Sequence, residues 1–173
     1  MLKPTALAAA LLLACASAPA SAQHALVAGS IQKVSYEPRG SDDCPEPCPP
    51  VAPRADGLTA VCISNMGGCE SIELKVERDA EGVSPRGSRR SFGAQRIGEW
   101  GPTFPVTSKL IAVHQDGKRL SWTPAVLRDG QVYILPNSFK RLWNQDTPEW
   151  IKADDPDLVP LETEAVRLGL LKR

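Results

Sequence analysis

The chain is predicted to be mainly β, a small barrel or meander with a late helical tail, and three observations predict it. Ile72, Leu74 and Val76 alternate with Glu73, Lys75 and Glu77, the two-residue period of a strand with one face in a core and one in water. Asp116-Gly117 and Asp129-Gly130 each separate two apolar runs, and glycine supplies the positive φ that a tight hairpin turn needs. Helical patterns do not alternate with the strands; they gather after Pro136, which argues against a parallel α/β sheet.

The elements follow in chain order. Ala25 to Tyr36 carries Leu26, Val27, Ile31, Val34 and Tyr36 around Gly29, which suits a long strand bent or bulged at the glycine. Residues 37–56 hold six prolines and two cysteines and cannot ladder as a central strand, so they form a long insertion. Thr59 to Ser64 and Ser71 to Arg78 flank Asn65-Met66-Gly67-Gly68, the pattern of two strands and a turn. A polar loop over 79–90 leads to a strand over Ser91 to Trp100 and a turn built on Gly101, Pro102 and Pro105. The two hairpins run from Leu110 to His114 into Arg119 to Trp122, and from Ala125 to Arg128 into Gln131 to Leu135. In the tail, Ser138 to Asn144 reads as a short helical turn and Asp146-Thr147-Pro148-Glu149 as a helix start. Pro160 to Lys172 is amphipathic, with Leu161, Ala165, Leu168 and Leu171 on one face and Gly169 weakening its end. The expected organisation is a signal peptide over 1–22, a β-barrel-like domain over 23–136 and a helical tail over 137–173 packed on it.

Val27-Ala28-Gly29-Ser30-Ile31-Gln32-Lys33-Val34, Ile72 to Arg78 leading into Glu81-Gly82, and Gly130 to Leu135 together resemble the netrin and tissue-inhibitor class of barrels over residues 25–136. The resemblance implies an OB-like barrel. Inhibitors of that class begin with a Cys-x-Cys that chelates a protease metal. Gln23 and His24 do not reproduce it, so metalloprotease inhibition is not implied.

Lys3, the apolar run Ala6 to Ala14 and the small residues Ala18 to Ala22 read as an export signal cut after Ala22, which places the mature protein in the periplasm or outside the cell. The alternative is a lipoprotein: Leu12-Leu13-Ala14-Cys15 resembles a lipobox, which would anchor the chain through Cys15. Removing 1–22 takes away one charged residue, leaving 19 basic against 20 acidic side chains. That balance carries no footprint for nucleic acid, and after the signal no apolar run is long enough to cross a bilayer.

Export leaves Cys44, Cys48, Cys62 and Cys69 in an oxidising compartment, where they are expected to form two structural disulfides. Local geometry favours Cys62 with Cys69 across the predicted hairpin and Cys44 with Cys48; the nested alternative pairs Cys48 with Cys62 and Cys44 with Cys69. Cys44-Pro45-Glu46-Pro47-Cys48-Pro49 also resembles the Cys-Pro-x-x-Cys-Pro segment of Sco-type copper chaperones. That resemblance implies copper as a cofactor on Cys44, Cys48 and His114, with Met66 as an extra thioether, or thiol exchange. Pro50, Val51, Ala52 and Pro53 follow it where that family opens a helix, so copper is the alternative and no cofactor the primary expectation.

No nucleophile elbow, His-Glu-x-x-His pair or phosphate loop is present, and catalysis is not expected. Trp100, Trp143 and Trp150 fall near element ends beside charged residues and, with Arg141, are candidates to line a recognition surface. The alternative leaves Trp122 in the core, with Trp143 and Trp150 fastening the tail. Together these readings point to an interaction module whose partner is an envelope protein or a glycan.

Overall fold

A computed structural model describes residues 24–46, 48, 56, 62, 64, 66–98, 104–105, 107, 109–141 and 150–172. The predicted signal and lipobox with Cys15, residues 47 and 49–55 of the predicted insertion, Trp100, Trp143 and the predicted helix start over 146–149 lie outside the described residues.

The architecture is mainly β and antiparallel. The strands are β1 (His24–Pro38), β2 (Met66–Asp79), β3 (Arg89–Gly98), β4 (Leu110–Asp116), β5 (Arg119–Pro124), β6 (Val126–Arg128), β7 (Gln131–Ile134), β8 (Lys140–Arg141) and β9 (Val159–Pro160), followed by one helix, α1 (Leu161–Arg167). A six-stranded sheet runs β3-β2-β1-β4-β5-β8, and a second sheet runs β6-β7-β9. The larger sheet curls: the Leu120 N–H donates to Oε1 of Gln95 at 2.8 Å, joining β5 to β3 by a side chain. Among the described residues no ladder completes a barrel there.

β1 sits at the centre because both of its faces are apolar where it starts. Ala25 and Val27 enter the main core with Leu74, Val76, Phe92, Ile111, Val113 and Trp122. Leu26 and Ala28 point the other way, into a second core with Ala112, Val132, Ile134, Leu161 and Ala165. The small sheet and α1 therefore form a second layer over this half of the large one. Burial of this kind is the main favourable term in folding.

The pairing of β1 with β2 slips between Ala28 and Gly29, so the bulge predicted at the glycine is present. A Cβ on Gly29 would overlap the Lys75 carbonyl and lie 3.2 Å from Cβ of Leu74. Backbone cannot yield there as a flexible side chain can. Gly29→Ala is expected to destabilise the fold by about 1–3 kcal/mol in urea unfolding.

Two turns follow the predicted chemistry. Asp129 (φ 51°) and Gly130 (φ 78°) both adopt the left-handed conformation between β6 and β7. At the other hairpin Asp116 remains in β4, and Gly117 and Lys118 make the turn, one residue later than predicted. Gly169 stops α1: at φ 77° it lets its own N–H reach the Val166 carbonyl and the Leu170 N–H reach that of Ala165. Those two bonds satisfy carbonyls at the helix end, and Leu170 folds back onto the second core.

Two predicted elements are corrected. Met66–Gly68 continue β2 instead of making a turn, opposite Pro38 in β1 and Ile97 and Gly98 in β3. Within the predicted helical turn over 138–144, Lys140 and Arg141 pair with Trp122 and Ser121 as β8. An available strand edge outweighs the local preference of a short polar segment.

Candidate functional site

The four cysteines form Cys44–Cys69 and Cys48–Cys62, each with Cα atoms 5.6 Å apart. The locally favoured pairing is thus replaced by the nested one. The reason is the course of β2: with residues 66–68 inside the strand, Cys69 faces Glu37 of β1 and Arg96 of β3, and no hairpin presents Cys62 to it. Cys44 reaches Cys69 because the chain after β1 folds back. The Gly40 N–H donates to the Cys44 carbonyl at 2.8 Å, and the Cys44 N–H to the Ser41 carbonyl at 3.1 Å. Cys44 and Cys69 are buried, whereas Cys62 is exposed.

His114 is not brought to these sulfurs. It lies opposite Leu26 at one end of β1, while Cys69 lies opposite Glu37 at the other, on the order of 30 Å away at ~3.3 Å per residue. Its ring packs edge-on against Phe139, with centroids 5.7 Å apart. Burial pushes its pKa below the ordinary value. The side chain of Met66 is outside the described residues. Among those residues, no group of three or more His, Cys, Asp or Glu is placed to hold a metal ion.

Trp150 is placed against the main core, whereas Trp100 and Trp143 lie outside the described residues. Its ring lies 6.3 Å from that of the buried Trp122 and carries Lys109 Nζ 4.7 Å from its centroid, so it packs on the main core. Arg141 is in β8, and its side chain lies outside the described residues.

A concavity lies on the face of the large sheet that β6-β7-β9 and α1 leave uncovered. Past Gly29, the face of β1 that held Leu26 and Ala28 continues as Lys33, Ser35 and Glu37. Glu73 and Ser71 stand opposite the first two on β2, with Ser91 and Gly93 beyond on β3, and Asp43 overhangs from the loop held by Cys44–Cys69. These residues line a groove of about 500 Å³, within the range of ligand sites. Glu73 is held by Arg89 at 3.0 Å, and Arg39 by Glu46 at 3.2 Å. Lys33, Glu37 and Asp43 make no ion pair among the described residues.

Sequence reasoning missed this groove. The signal available was the change along β1 from apolar on both faces, Ala25 to Ala28, to polar on one, Lys33 to Glu37. It marks where the second layer stops.

No family model, curated protein or solved structure matches this chain.

Proposed function

We propose that the protein is an exported, non-enzymatic binding module of the cell envelope whose contact surface is the groove over β1, β2 and β3. The observation that carries this reading is the unequal covering of one sheet face. Half is buried under a second layer, and the other half presents small side chains, charges that make no ion pair among the described residues and a wall fixed by a buried disulfide. A wall fixed in advance lowers the ordering cost of binding. Two disulfides suit an oxidising compartment, and no helix among the described residues is long and apolar enough to cross a membrane. The copper reading through Cys44, Cys48 and His114 draws no support from the separation of the histidine from the sulfurs.

Filling the groove tests the proposal. Ser71→Trp places a large ring on its floor, and Val83→Trp, at a position already 66% exposed in a distant loop, is the control. With both variants folded to the same Tm as the parent, immobilised Ser71→Trp is expected to lose envelope components that the parent and the control retain. Equal retention by all three would remove the groove from the contact surface.

A further inference from the structure

Taking the groove as the contact surface, we propose that its ligand is an extended peptide, with a cationic group at the Glu37 and Asp43 end and a carboxylate at the Lys33 end. The lining selects for such a molecule. Its floor offers the hydroxyls of Ser35, Ser71 and Ser91, none of which bonds another described side chain. Ile72 and Phe92 contribute only their outward backbone, because their side chains belong to the main core. An apolar ligand therefore finds no burial there. Among the described residues a glycan finds no tryptophan to stack on, since Trp122 and Trp150 pack with the main core on the opposite face of the sheet. Gly93 leaves open space above β3, where a Cβ would meet nothing within 4 Å, so a chain can approach the backbone closely.

The charges then set orientation and length. Glu37 and Asp43 form the acidic end; Arg96 stands opposite Cys69 and does not line the groove, and Arg39 is paired with Glu46. At the other end Lys33, Lys75 and Arg89 surround the carboxylate of Glu73, leaving positive charge in excess. Lys33 and Glu37 are four residues apart on β1, which is ~13 Å at ~3.3 Å per residue. An extended tetrapeptide with opposite charges at its ends spans the same distance. Opposed charges at a partly exposed site fix register and partner choice more than they add affinity.

The test titrates the oxidised, ¹⁵N-labelled full-length mature protein with the tetrapeptide Lys-Ala-Ala-Ala bearing free termini. Its acetylated, amidated counterpart with glutamate for lysine and a neutral tetrasaccharide serve as comparison probes. Shifts are expected at the amides of Ser35, Ser71 and Gly93 with the first peptide only. Glu37→Gln and Asp43→Asn are each expected to weaken it by about fivefold, and added salt is expected to weaken it further. Absence of shifts at millimolar peptide, equal binding of the capped glutamate peptide or the saccharide, or unchanged affinity in both charge variants would overturn the ligand class. The groove as contact surface would still stand if Ser71→Trp abolished capture of envelope components, so the two readings can fail separately.

Discussion

Replacing Cys44 and Cys69 together by alanine is expected to lower the unfolding free energy by about 2–5 kcal/mol, the usual cost of losing a native disulfide. Replacing Cys48 and Cys62 together is expected to cost less. Two terms separate the pairs. Cys44–Cys69 spans 25 residues and Cys48–Cys62 spans 14, so the first removes somewhat more freedom from the unfolded chain. Cys44 and Cys69 are also buried, so their removal takes packed sulfur from the structure as well, while Cys62 is exposed. Urea unfolding of the two double variants under non-reducing conditions measures the difference. Thiol alkylation during mild reduction supplies an independent check: Cys48 and Cys62 are expected to be labelled well before Cys44 and Cys69, because exchange requires access to sulfur. Simultaneous labelling, or a larger loss from the Cys48–Cys62 variant, would mean that the buried bridge is not the main fastening of the insertion. Asp43 is adjacent to Cys44, so the first variant is also expected to lose binding in the groove.

Arg167→Gln is expected to destabilise the protein at neutral pH by about 1–3 kcal/mol, the cost of leaving a buried acceptor short of donors. The side chain of Glu164 is 1% exposed and accepts from Nε of Arg167 at 2.7 Å, from its terminal nitrogen at 2.6 Å and from the Asn137 N–H at 3.3 Å. The arginine's hydrogen bonds hold the Glu164 carboxyl below its ordinary 4.5, against a burial that raises it. A carboxylate depressed in the folded state contributes stability above its unfolded pKa and loses it as pH falls through the folded one. In the parent that loss is expected below pH 4.5, and in Arg167→Gln it is expected to be smaller, so the two curves converge in acid. His114 adds an earlier stage in both proteins. Burial lowers its pKa from 6.5, so the unfolded chain takes up its proton first and stability declines as pH drops below 6.5. Urea midpoints measured from pH 8 to pH 3 test both stages. Parallel curves for parent and Arg167→Gln down to pH 3 would contradict the role given to the arginine.

The sequence made legible what short-range chemistry decides. The alternation from Ile72 to Glu77 is strand β2, Asp129-Gly130 is the turn between β6 and β7, and the acidic start and glycine end of the last segment bound α1. Gly29 was readable as a bulge because no β-carbon is wanted where strands slip. What long-range register decides was not legible. Cys69 faces Glu37 and Arg96 only because β2 begins at Met66, and no local feature of Asn65-Met66-Gly67-Gly68 distinguishes a turn from a strand that continues. Lys140 and Arg141 became β8 because β5 had an edge to offer. The groove depended on both: it exists where the second layer stops, and its wall stands where a distant cysteine happens to face.

The position of β1 between β2 and β4 has a consequence for how the chain acquires its structure. Without residues 24–38, the large sheet divides into a β2–β3 hairpin and a β4–β5–β8 piece, with no direct pairing between them. Each half would keep one bare hydrogen-bonding edge, and neither core could close. Synthesis delivers this strand first, yet its partners arrive long afterwards, β4 more than seventy residues later. The six-stranded ladder is therefore completed only when that early strand is held between two partners made much later.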